Sequence, residues 1–219
     1  MTKEQIQHFH KNMDKIIRRD RIFLNNPVLM QGFGLAPIIV VATTLNNANI
    51  LAMAIILLLT PTRIVSALIS KVVNIRFRVV VYVLTAGVIY MGVCRILMLI
   101  FELNDLKLLG YYLPLLIVEP IIIKRYTHKE PEIIKYALKK GILTTIGYII
   151  VIYIVAFARE ITAYGTVFGI SVLNYEMFPF AKMVSGGFLI VGILAALWKY
   201  LTVEFINRIK KEAKRNNVG

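Results

Sequence analysis

The chain has 219 residues, 58% of them hydrophobic and only 17% charged, with a mean hydropathy of +0.71. A soluble domain of this length carries about 45–50% apolar and about 25% charged residues, yet here no Asp, Glu, Lys or Arg occurs in the 41 residues between Arg21 and Arg63. These figures exclude a soluble enzyme, a secreted disulfide scaffold and a disordered chain, and they place the protein in a bilayer. The net charge of +14 would point to nucleic acid in a soluble protein. In a membrane protein it is the cytoplasmic excess of Lys and Arg, so no nucleic-acid partner is expected. The single cysteine, Cys94, excludes an internal disulfide and any multi-thiolate metal site supplied by this chain alone.

Residues 1–24 read as a basic amphipathic arm. Ile6, Phe9, Met13, Ile16 and Ile17 share one face of a helical repeat, with basic residues opposite. That pattern suits an interfacial helix or a dock for a partner subunit, and more simply a basic anchor on the anionic leaflet. Charge from Lys3 to Arg21 without an apolar stretch is not the pattern of a cleavable signal peptide.

Six spans are expected after the arm, since a crossing helix needs about 20 mostly apolar residues. The first, 28–45, contains Gly32-Phe33-Gly34-Leu35-Ala36-Pro37-Ile38-Ile39. The cluster Asn46-Asn47-Ala48-Asn49 reads as a tight turn into the second, 50–70. The third, 79–101, carries Arg95, with Glu102 seven residues on along the same face. The fourth, 108–123, contains Pro114 and Val118-Glu119-Pro120-Ile121-Ile122. A charged loop from Lys124 to Lys140 leads to the fifth, 141–158, closed by Arg159-Glu160 as a membrane-boundary pair. The sixth, 183–203, ends near Lys199, whose stem can snorkel, and residues 206–219 form a basic tail.

Basic residues fix the orientation. The arm, the second-to-third connection, the fourth-to-fifth loop and the end of the sixth span with its tail hold 22 of the 26 Lys and Arg. Six spans with both termini cytoplasmic collect these clusters on one side. The protein is therefore expected to be multi-pass in the cell's inner (cytoplasmic) membrane.

The first and fourth spans are unusual in the same way. Proline inside a helix removes a hydrogen bond and clashes with the preceding turn, and Gly34 and Pro37 in the first span match Pro114 and Pro120 in the fourth as helix breaks. The predicted fold is all-α: six transmembrane helices as two inverted three-helix repeats, about 25–101 and 108–205, with broken first and fourth helices. Discontinuous helices at matching positions point to a midplane site. The unpaired backbone they leave must be buried, hydrated or ligand-bound.

The motifs then become recognisable. Asn26-Pro27-Val28-Leu29-Met30-Gln31-Gly32-Phe33-Gly34-Leu35-Ala36-Pro37, Leu113-Pro114-Leu115-Leu116-Ile117-Val118, Arg159-Glu160-Ile161 with Gly165-Thr166-Val167-Phe168-Gly169, and Gly186-Gly187-Phe188 together resemble the small membrane subunits of Rnf and Nqr complexes. These are redox-driven ion pumps, and the likeness is to the RnfE/NqrD type over about residues 25–205. The resemblance implies a sister subunit of opposite topology (the RnfA/NqrE type) and other subunits of a membrane redox complex. It also implies an iron–sulfur cluster shared between the sisters, held by one cysteine from each broken helix. Here those positions are Ala36 and about Pro120, and neither side chain can supply a thiolate. The chain is therefore expected to bind no cofactor or metal alone, and Cys94 to be a small buried hydrophobe.

Glu119 at the second break and Arg95 are the candidate midplane polar residues, because intramembrane charge is costly and must be matched. No nucleophile–base constellation, phosphate loop or nucleotide fingerprint is present, so flavin or nicotinamide chemistry belongs to partner subunits. The expected function is an integral membrane subunit of an Rnf/Nqr-like ion-translocating electron transport complex. The alternative is a transporter or scaffold that kept the inverted repeat without the redox chemistry.

Overall fold

The computed structural model describes residues 20–69, 71–110, 112–119, 134–173 and 175–217, together with Met13, Ile16 and Ile17. Seven α-helices lie among them: α1 (Leu35–Val41), α2 (Leu45–Ile69), α3 (Arg78–Ile100), α4 (Leu103–Leu109), α5 (Tyr112–Leu115), α6 (Ile134–Tyr164) and α7 (Val184–Asn217). A 3-10 turn, Ile75–Phe77, leads into α3; a second, Leu116–Val118, follows α5, and a third, Pro179–Lys182, precedes α7. A small antiparallel hairpin pairs β1 (Thr166–Val167) with β2 (Ile170–Ser171).

Four stretches are long and apolar enough to cross a membrane: α2, Ile75–Ile100 ending in α3, α6, and Val184–Ala213 of α7. The chain expected to form the first and fourth spans is broken into short pieces, α1 in one case and α4, α5 and the following 3-10 turn in the other. Pro120 and most of the Lys124–Lys140 loop lie outside the described residues.

α2 and α6 form the centre and run antiparallel. Leu45, Asn49 and Thr60 of α2 bond to Glu160, Tyr153 and Thr145 of α6, so numbers rise along one helix as they fall along the other. Helix association in lipid lacks a hydrophobic drive and relies on close approach of small residues. Ala48, Ala54 and Ala156 are fully buried in the shared core, and a Cβ on Gly141 would lie 3.4 Å from the Arg63 side chain. Ile38 and Ile39 of α1 pack into that core with Leu51, Ile55 and Leu58 of α2 and Val151, Ile152 and Val155 of α6. α3 and α7 touch this centre along one side and expose Leu84, Val88, Met91 and Leu99, and Phe188, Leu197 and Tyr200, respectively.

One expectation is corrected. Asn46–Asn49 is not a turn but the start of α2, and the turn falls at Ala42–Thr44. Capping explains it: Glu160 Oε2 accepts from the Leu45 amide (2.6 Å) and Thr44 Oγ1 from the Asn47 amide (3.3 Å), satisfying first-turn donors. The asparagines then find partners of their own, Asn47 on Thr43 Oγ1 and Asn49 under the Tyr153 hydroxyl. Of the arm's apolar residues, Met13, with Ile17, packs on Ile206, Ile209 and Ala213 of α7. α7 itself runs unbroken to Asn217, past the change from apolar to basic sequence near residue 205.

Candidate functional site at the broken helices

The first break is assembled from short-range capping. Asp20 accepts from the Ile22, Phe23 and Leu24 amides. Asn26, fully buried, accepts from the Val28 and Leu29 amides through Oδ1 and donates to the Ile22 and Gly147 carbonyls through Nδ2. The turn ends at Gly34, whose left-handed backbone (φ 68°, ψ 25°) starts α1. Pro37 is the third residue of α1, in the first turn, where a missing amide hydrogen costs nothing. It therefore opens the half-helix, and Gly34 makes the break. Pro114 occupies the equivalent third position of α5, exposed.

The two half-helices touch, α1 against α5. The fully buried Tyr148 of α6 stands at this point and donates from its hydroxyl to the Gly34 carbonyl (2.8 Å). Glu119 follows the 3-10 turn after α5 in extended conformation (φ −61°, ψ 138°), is 9% exposed, and lies within electrostatic reach of Tyr148. Among the described residues no hydrogen bond or ion pair engages its carboxyl. Arg95 projects from the exposed face of α3, and the structure forms no Arg95–Glu119 ion pair. Ala36 is exposed on α1, where it faces away from the buried core.

A second polar centre lies eleven residues along α6. Arg159 and Glu160, expected to mark the membrane boundary, are 0% and 1% exposed. Arg159 Nη1 donates to the Ile39 (2.6 Å) and Ala42 (3.4 Å) carbonyls at the end of α1. Nε and Nη2 donate to Ala181 (both 3.1 Å), and Nη2 also to Met183 (3.2 Å). Glu160 caps α2 through Oε2, while Oε1 accepts from Thr166 Oγ1 (3.1 Å) and the Gly169 amide (2.8 Å). Sequence reasoning missed this centre because a charged pair near the end of an apolar run resembles an interface. The available signal was the run of glycines that follows: Gly187 is where α7 passes the guanidinium, with room for no Cβ, since one would sit 2.8 Å from the Ile39 carbonyl.

The residues present do not fit an iron–sulfur cluster. Cluster irons need thiolates, Ala36 offers a methyl group, and Cys94 belongs to α3 and neither half-helix. Among the described residues no group of three or more His, Cys, Asp or Glu gathers at a metal-holding distance.

Apolar helices long enough to span, interrupted helices that meet inside the bundle, and buried charges matched by backbone define a multi-pass helical membrane protein. Residues 15–195 match the Rnf-Nqr family, described as "Rnf-Nqr subunit, membrane protein", and the chain belongs to that family. Relatives include the E component of the proton-translocating ferredoxin:NAD(+) oxidoreductase complex of Clostridium ljungdahlii, 27% identical over 86% of this chain and 89% of that protein. The E component of the ion-translocating oxidoreductase complex of Pseudoalteromonas atlantica is 29% identical over 88% and 90%. Its Vibrio parahaemolyticus counterpart is 28% identical over 92% and 94%. The resemblance read from the sequence motifs therefore holds.

Proposed function

We propose that the chain is the RnfE-type membrane component of an Rnf-type ion-translocating oxidoreductase complex, embedded in the cytoplasmic membrane with both termini inside. It spans six times as two inverted three-helix units, α1 to α3 and then α4/α5, α6 and α7, and pairs with a sister subunit of opposite topology. The observation that carries this reading is the meeting of the two half-helices beside Tyr148 and Glu119. The antiparallel run of α2 along α6, the second element of each unit, supports the inversion. Glu119 is the polar group of the midplane site, with Tyr148 as its neighbour within this chain, and Arg95 stays on the outer face of α3. The thiolates of any shared cluster come from elsewhere in the complex, because Ala36 cannot replace one.

The test is purification of the intact complex from its native membrane through a tag on this chain. Flavin- and iron–sulfur-bearing subunits should co-purify in fixed ratio. Recovery of the chain with no redox subunit in any detergent or nanodisc preparation would favour the transporter or scaffold alternative, for which the missing cysteines are the supporting observation.

A further inference from the structure

Arg159 and Glu160 are adjacent on α6, buried and opposite in charge, yet each is matched by backbone and hydroxyl groups of other segments. Both side chains bridge the same two stretches of chain. Arg159 joins the carbonyls at the end of α1 to those of Ala181 and Met183. Glu160 joins the first amide of α2 to Thr166 and Gly169 of the hairpin. The planar guanidinium fork suits the first task, since it presents donors in two directions at once, and a lysine ammonium cannot reach both sides. The two oxygens of a carboxylate suit the second. α7 closes over the junction at Gly187, where an added Cβ would be 3.1 Å from Arg159 Cζ.

We infer that Arg159 and Glu160 are positioning residues that lock the break between α1 and α2 to the segment 165–183, so that half-helix and hairpin move as one body. The lock acts at one end of α1 only. Tyr148, on α6 with Arg159 and Glu160, holds the other end at Gly34. A displacement of the hairpin is therefore transmitted to α1, and through it to the exposed position 36. The inference concerns this chain's own segments, and its failure would leave membership of the complex untouched.

The experiment uses the full chain extracted into detergent without partner subunits, in a Cys94→Ala background carrying either Ala36→Cys on α1 or Ile170→Cys on the hairpin, both exposed on the single chain. The readout is the rate of maleimide labelling, alongside the amount of chain recovered. Arg159→Lys and Glu160→Gln should each raise labelling several-fold at both positions together, with Arg208→Met, an exposed cation of α7, leaving both unchanged. Thr166→Val removes a single bond on the hairpin side and keeps the test open if either charge variant fails to accumulate; it should raise both rates in the same proportion. A rise at position 170 with position 36 unaltered would overturn the coupling. So would lower amounts of chain whose two labelling rates stay as in the parent.

Discussion

Glycine at position 34 is required twice over. Its φ of 68° lies in the left-handed region, which costs an L-residue about 1–2 kcal/mol, and a Cβ there would lie 3.1 Å from Tyr148 Cζ and closer still to the ring edge. Gly34→Ala should therefore lower the thermal aggregation temperature of the membrane-extracted protein more than Tyr148→Phe does. The phenylalanine variant only orphans one buried carbonyl, a loss of about 1–3 kcal/mol. The reverse order would show that the hydroxyl, and not the fit around Gly34, secures the break. Glu119 makes a different prediction because no group within the described chain neutralises it. If its carboxyl serves the midplane site, Glu119→Gln should leave assembly intact and reduce electron-coupled ion transfer. If it only braces the backbone, Gln should work normally and Glu119→Leu should reduce the assembled amount. Normal transfer and normal assembly in both variants would remove Glu119 from the site.

The long helices make predictions about sidedness. α6 has 31 residues, about 46 Å at 1.5 Å per residue, against a hydrocarbon core of about 30 Å. One end must project into water, and Lys135, Lys139 and Lys140 make it the first turns. An impermeant reagent applied outside should label Asn46→Cys at the start of α2 and should miss Lys135; labelling of Lys135 from outside would reverse the orientation. The long helices were legible in the sequence, because long apolar runs announce helices at the level of composition: α3 differs from its expected bounds by one residue at each end. What stayed hidden depends on partners distant in sequence. Asn46–Asn49 has the local chemistry of a turn, and only Glu160, 115 residues from Leu45, makes it a helix start. Pro37 and Pro114 were visible as interruptions, but whether a proline breaks a helix or opens one depends on where the preceding turn ends. Arg159 carried no local mark of its four carbonyl partners, since those are backbone atoms and any residue supplies them.

At the scale of the molecule, α2 and α6 are wrapped by the rest of the chain while α3 and α7 leave broad apolar faces bare. The isolated chain is expected to show no iron–sulfur absorbance, given one thiol placed off both half-helices. Stoichiometric iron and sulfide in the purified single chain would contradict that. Introducing Ala36→Cys and Pro120→Cys together should still give no cluster in the chain alone, because four thiolates are needed and it would supply at most three, one of them Cys94 on α3.

The clamp on α1 also has a bearing on biosynthesis. The half-helix leaves the ribosome well before α6, since the residues that hold its two ends lie 114 and 120 positions later. At about 5–20 residues per second, the translocon must shelter an unsecured, interrupted segment for on the order of 6–24 s before α6 arrives. A nascent chain stalled before residue 148 should therefore be cut by protease near Gly34, and one released after α7 should be protected there.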